Sequence, residues 1–194
     1  MKKCNICGED RFEEFYESRR TRCKECTKKA QYKFNDENPD YLKNKNHRRR
    51  AMKLALPFVK GANLWSSVKK RFDGRCAISN STDIVLEHVI PMSWGHLGTT
   101  VHNVVPMDAT LNLEKGAKNF LDWVLSDEMA SRIDEDKIND MIYYLAEKNG
   151  LSDDEYMNFI YWCEDNKRTV DEVIADPRPS IVIWKAALEL NVGK

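Results

Sequence analysis

The sequence predicts an α+β protein with little sheet, and three observations predict it. Four cysteines near the start, Cys4-x2-Cys7 and Cys23-x2-Cys26, have the spacing of a zinc ribbon. Two short β-branched stretches, around Ile84–Ile90 and Val104-Val105, are joined by a loop as in a hairpin, with a helix start at Asp108. The last third repeats apolar residues at helical spacing. Four regions follow: a zinc ribbon over 1–36, a basic helical linker over 37–60, a hairpin-and-helix core over 61–125, and an acidic helical region over 126–194. A chain of 194 residues excludes a large multidomain machine. With 42% apolar and 32% charged residues it can bury a core. No stretch approaches the roughly 20 apolar residues of a membrane helix, and the first residues lack the apolar run of a signal peptide, so a cytoplasmic location without a membrane partner is expected.

In the ribbon, fifteen residues separate the two cysteine pairs. Each two-residue gap lets one tight turn aim both sulfurs at a common centre, and two such turns supply four thiolates to a tetrahedral Zn2+. Gly8 suits the positive φ of the first turn. A disulfide reading needs an oxidising compartment, which nothing in the sequence indicates. The segment between the pairs is too short for much core, so the metal is expected to supply its folding energy.

The net charge is zero, yet it is unevenly spread. Residues 1–60 hold 17 Lys/Arg against 9 Asp/Glu, residues 61–119 hold 6 against 5, and residues 120–194 hold 8 against 17. A basic front suits a polyanion, of which nucleic acid is the commonest, although a solvated charged surface has the same composition. Arg19, Arg20 and Arg22 beside the second knuckle, and Arg48, Arg49 and Arg50 in the linker, are the candidate DNA contacts. After Cys26 a helix runs through Tyr32 and Phe34 to a break at Asn38-Pro39. Pro39 fits the start of the next helix and Pro57 its stop. That segment has too few apolar residues to bury a wide face, and His47 reads as part of its polar surface.

In the core, Leu64, Trp65, Val68 and Phe72 recur at helical spacing until Asp73-Gly74. Then come Glu87-His88-x-Ile90-Pro91, a loop with Trp94, Gly95, His96 and Gly98, and His102-Asn103-Val104-Val105-Pro106. Asp108 opens a helix bearing Asn112-x2-Lys115-Gly116, whose pattern runs on to Leu121, Trp123 and Val124.

These three pieces, in this order, resemble the ββα-metal motif of HNH endonucleases in its H-N-N form. The ribbon followed by a basic segment is similar to the layout of phage-encoded HNH and homing-type endonucleases. The resemblance covers residues 4 to about 120. It implies a metal-dependent DNA endonuclease acting in the cytoplasm, that of the host cell if phage-encoded, with His88 as general base. It also implies that Asn103 is no ligand but holds the loop behind His88, and that Glu87 and Asn112 bind a catalytic Mg2+ or Mn2+. Oxygen ligands of this kind suit such a cation. Lys115 and Lys118 are expected near phosphates, with His96 and His102 as secondary candidates on the loop. Where Glu87 stands the family more often has Asp. Many relatives carry two further Cys pairs, but here those places read Cys76-x2-Ser79 and Asp108-x2-Leu111. A second zinc is therefore not expected, Leu111 is expected to pack, and Cys76 and Cys163 read as buried thiols.

In the tail, Ile138, Met141, Ile142 and Leu145 form a helical stripe stopped by Gly150, and Ser152-x2-Glu155 is a capping box. Asp176-Pro-Arg-Pro breaks the chain before a last apolar stretch, Ile181–Leu190. The acidic helices would repel DNA, so bracing the fold, homodimerisation or a protein partner suits them better. Two rivals to the nuclease are a zinc-ribbon DNA-binding protein that does not cut and a protein-interaction module on an HNH-like scaffold.

Overall fold

The computed structural model describes residues 3–18, 21–59 and 63–192. They form two compact units, Met1–Lys45 and Asn46–Lys194.

In the first unit, Gly8 at φ 78° lets the chain fold back so that its N–H reaches Cys4 O at 3.0 Å. The N–H of Asn5 donates to Thr21 O at 3.0 Å, setting the two knuckles side by side. Cys23 is then the N-cap of α1 (Lys24–Glu37), its sulfur accepting the N–H of Cys26. The helix stops at Asn38, whose side chain donates to Phe34 O at 2.8 Å, and α2 (Pro39–Lys53) starts at Pro39 as expected. The buried apolar cluster of this unit is Phe15 with Cys4, Cys23 and Cys26, a core too small to hold the segment without a further cross-link.

In the second unit, α3 (Asn63–Arg71) buries Leu64, Trp65 and Val68 and ends where Asp73 and Gly74 take positive φ. Strands β1 (Ile84–His88) and β2 (Val104–Asp108) pair antiparallel, with Ile84 opposite Asp108 and His88 opposite Val104. Asp108 caps α4 (Ala109–Lys115), its Oδ1 accepting from Thr110 N at 2.9 Å and Leu111 N at 3.0 Å. The single helix expected to reach Val124 is two helices. Gly116 at φ 53° ends α4, and Asn119 caps a new one, α5 (Phe120–Val124).

The acidic region supplies α6 (Glu135–Asn149), α7 (Asp153–Asp165), α8 (Val170–Ala175) and α9 (Ser180–Val192). Gly150 closes α6 at φ 65°, and the Ser152–Glu155 capping box opens α7, both as predicted. The short α8, with its own Thr169–Glu172 box, was not predicted. One hydrophobic cluster runs from Leu64 through Ile90, Val104 and Phe120 to Tyr156, Phe159 and Trp184. The expected division at 125/126 therefore does not separate two cores, because the stripes of α6 and α7 belong to the same hydrophobic cluster as the strands. Cys76, Leu111 and Cys163 are buried in it, as expected. Among the described residues, no helix is long and apolar enough to cross a membrane.

The loop between the strands is pinned at two glycines. A Cβ on Gly95, which sits at φ 79°, would lie 2.1 Å from Arg168 O, and one on Gly98 would lie 1.9 Å from Pro57 O. Such backbone approaches admit only glycine. Beside them, Arg168 N donates to Trp94 O at 2.8 Å and Thr99 N to Pro57 O at 3.0 Å, which fixes Thr99 against the Pro57 backbone.

Candidate functional site

The sulfurs of Cys4, Cys7, Cys23 and Cys26 lie within 4.8 Å of one another, with Cys7 and Cys23 3.6 Å apart. Thiolates at ~2.3 Å from one tetrahedral ion would stand about 3.8 Å apart, so the cluster is compatible with structural zinc. Four sulfurs this close cannot all carry charge unaided. The N–H of Cys23 holds the Cys4 thiol down to about 6, while a hydrogen bond with Cys7 is the chief cause pushing Cys26 up to about 12. A dication would remove that conflict by stabilising every thiolate.

The second cluster is built on β1, β2 and α4. Glu87 and His88 are adjacent in β1, so their side chains leave opposite faces of the strand. Glu87 reaches α4, where its Oε1 accepts from Lys115 Nζ at 2.6 Å; the same ammonium donates to His88 O at 3.3 Å. Both side chains are buried, Lys115 completely and Glu87 to 10% exposure. Burial raises the Glu87 carboxyl, and the Lys115 charge opposes that rise. Lys115 was expected to meet phosphates; a fully buried ammonium committed to a carboxylate does not offer that contact.

His88 turns to the loop, its Nε2 2.9 Å from Thr99 Oγ1. Its ring is 5.4 Å from that of His47. Burial, and then the charges of His47, Arg50 and Lys115, push the imidazole down to about 3. His47, read as plain polar surface in the sequence, thus packs on the proposed base. Thr99 and His47 are the site residues that sequence reasoning missed, since only the tertiary fold brings them to His88. Asn103 is fully buried and bonds to backbone. Its Oδ1 accepts from Ile90 N at 2.8 Å, and its Nδ2 donates to Ile90 O at 2.9 Å and more distantly to Leu97 O and Gly98 O, both at 3.4 Å. It clamps the two ends of the loop together two residues past His88. Asn112 Oδ1 is buried with no hydrogen-bond partner. Such an orphan costs about 1–3 kcal/mol, and its position one turn before Lys115 puts both on the same side of α4.

The cationic candidates divide. Arg19 and Arg20 lie outside the described residues. Arg22 is half-buried, and Arg48, Arg49 and Arg50 are exposed on α2, with Arg48 5.0 Å over the Phe58 ring. Arg50 is close enough for its charge to act on both Glu87 and His88. Lys118 is exposed but borders a depression shared with Asp122, Glu128 and Glu164, surroundings that repel phosphate. His96 is not an open loop histidine: it is buried, with Nδ1 3.1 Å from Ser180 Oγ and its ring 5.3 Å from Trp162. Burial holds it down to about 4. His102 is exposed, and its carbonyl accepts from Asn149. The two line a cavity of about 590 Å3 together with Lys148, Arg168 and Arg178.

Compared with models of known families, with curated proteins and with solved structures, the chain matches none.

Proposed function

We propose that the protein is a metal-dependent DNA endonuclease of the HNH type. The observation that supports this reading most is that one hairpin and its following helix carry a buried carboxylate, a neutral histidine, a loop-clamping asparagine and an unpartnered buried carbonyl oxygen, in the order the motif requires. No comparison with known proteins adds to it, so the reading rests on the motif and this geometry.

Glu87 and Asn112 Oδ1 are the residues that would hold a hard divalent cation, Mg2+ or Mn2+, and both are oxygen donors of the right kind. When bound, such a cation supplies neutralisation of charge developing on the phosphate. His88 takes a proton from the attacking water. The Thr99 hydroxyl has one proton; donated to Met92 Sδ, 3.7 Å away, it leaves Nε2 of His88 protonated and Nδ1 as the basic nitrogen. A pKa near 3 makes a weak base, and phosphate drawn to Arg50 would raise it by offsetting the cations around the ring. Asn103 positions the loop that carries Thr99. Arg48, Arg49 and Arg50, with the basic residues of the ribbon, hold the DNA backbone through charge.

The test is nicking of supercoiled plasmid with Mg2+ or Mn2+ by the wild type and by His88→Ala. Cleavage that disappears in the variant is expected; wild-type protein that does not cut, or His88→Ala that cuts fully, refutes the reading. A second reading is favoured by the Glu87–Lys115 pair, in which the carboxylate already has a cation: a DNA-binding protein that does not cut. A salt-sensitive DNA shift without cleavage would select it.

A further inference from the structure

We propose that Lys115 is a resident counter-cation seated where a divalent ion would bind, so that metal entry is a displacement in which the ion takes Glu87 and the ammonium leaves it. The inference rests on the nuclease reading of this site and deepens it.

A buried carboxylate needs a positive partner, and Lys115 Nζ is that partner, at 2.6 Å from Glu87 Oε1. A second acceptor, His88 O at 3.3 Å, completes a seat made only of oxygens. Asn112 Oδ1 is buried and has no donor, on the same side of the same helix. Carboxylate and main-chain carbonyl hold the ammonium, and the amide carbonyl, which the ammonium leaves unpartnered, is a third oxygen of the kind a hard cation takes. Charge settles the exclusivity. Arg50 already acts on Glu87, so a dication added beside a retained ammonium would crowd like charges around one carboxylate. Lys115 is the last residue of α4 and the next residues, Gly116, Ala117 and Lys118, are exposed, so solvent lies one residue beyond the backbone that anchors the ammonium.

Displacement has a measurable signature, because a tethered competitor lowers apparent affinity by the fraction of molecules whose site is open. Mn2+ binding to the full chain is measured for wild type, Lys115→Met and Lys115→Met/Glu87→Gln. Lys115→Met is expected to bind Mn2+ about tenfold tighter than wild type, and the double variant to lose that gain. A second measurement needs no variant. Wild-type protein is treated with acetic anhydride with and without saturating Mn2+, and acetylation of Lys115 is read by mass spectrometry. Lys115 should be protected without Mn2+ and modified with it. Mn2+ that binds and supports cleavage while Lys115 stays protected, or an affinity unchanged or weaker in a folded Lys115→Met, overturns the displacement and leaves the nuclease reading standing. Absence of Mn2+ binding in wild type and folded Lys115→Met alike overturns both.

Discussion

Asn103→Ala isolates the clamp that shapes the loop behind His88. The substitution leaves the N–H and C=O of the fully buried Ile90 without their partners, bonds of 2.8 and 2.9 Å. At ~1–3 kcal/mol for each buried group left unsatisfied, the loss is about 2–6 kcal/mol; the two contacts at 3.4 Å add little. With a urea slope of ~2 kcal/mol per M, the unfolding midpoint should fall by about 1–3 M. All five tryptophans, Trp65, Trp94, Trp123, Trp162 and Trp184, belong to the second unit, so their fluorescence follows that unit alone and the zinc-type unit does not blur the transition. Asn103→Asp adds a sign test. Its carboxylate still accepts from Ile90 N but confronts the carbonyls of Ile90, Leu97 and Gly98, so this variant should gain stability relative to wild type as pH falls and the acid becomes a donor. A midpoint shift below ~0.3 M for Asn103→Ala would refute the clamp as a main support of the loop.

Elemental analysis of the purified chain should find one zinc, and Cys23→Ser should lose it. Chelation should abolish the far-ultraviolet signal of α1 while leaving the tryptophan emission unchanged, because that emission comes from the other unit. His96 should contribute a pH dependence to stability. Its folded pKa, near 4, lies below the unfolded value of ~6.5, so the unfolded chain binds more protons between those values and stability falls as pH drops through that window. The loss is at most about 3 kcal/mol at ~1.4 kcal/mol per unit, and it should vanish in His96→Asn; an unchanged pH profile would remove His96 as its source. In the proposed cleavage reaction, the acid limb of kcat/KM assigned to His88 should lie well below the ordinary histidine range, since the free site holds this imidazole down to about 3. A limb near 6.5 would assign the titration to another group. Replacing Arg48, Arg49 and Arg50 together by Ala should reduce the slope of log affinity against log salt by about 2–3, each lost phosphate contact being worth ~0.9. An unchanged slope would place the DNA grip elsewhere.

The parts of the molecule legible in the sequence are those set by neighbours along the chain. Asn38-Pro39 ends one helix and starts the next, Asp73-Gly74 stops α3, Gly150 closes α6, and Ser152-x2-Glu155 opens α7, each through its own backbone chemistry. The hairpin is legible for the same reason. Gly116 ends α4 although Leu121, Trp123 and Val124 continue a helical stripe beyond it; Asn119 caps a second helix that keeps them buried. The candidate site was legible as a set of residue types, but not as a set of contacts. A lysine before a glycine at a helix end reads as surface, and only the fold reveals that Lys115 turns inward to a carboxylate 28 positions earlier. His47 and Arg50 are likewise invisible as partners of β1, since nothing local ties α2 to it.

The two units solve the problem of holding a site with different means, and the cysteines mark the difference. Among its described residues the first unit buries one phenylalanine with three of its cysteines, so it depends on a cross-link that four clustered sulfurs can supply through a single ion. The second unit is held by burial. Cys76 and Leu111 are buried apolar residues, and Asp108 accepts from Ser81 Oγ at 2.7 Å while capping α4. The apolar surface that makes this possible comes from the acidic region: Met141, Leu145, Tyr156, Phe159 and Ile160 join the hairpin's own Val104, Val105 and Met107 in one cluster. Its apolar stripes lie in the cluster, with α6 packed on α7 and α7 on α5 and α9. Hydrophobic burial shared along the chain, rather than a metal, is what ties the acidic region to the part of the molecule that carries the candidate site.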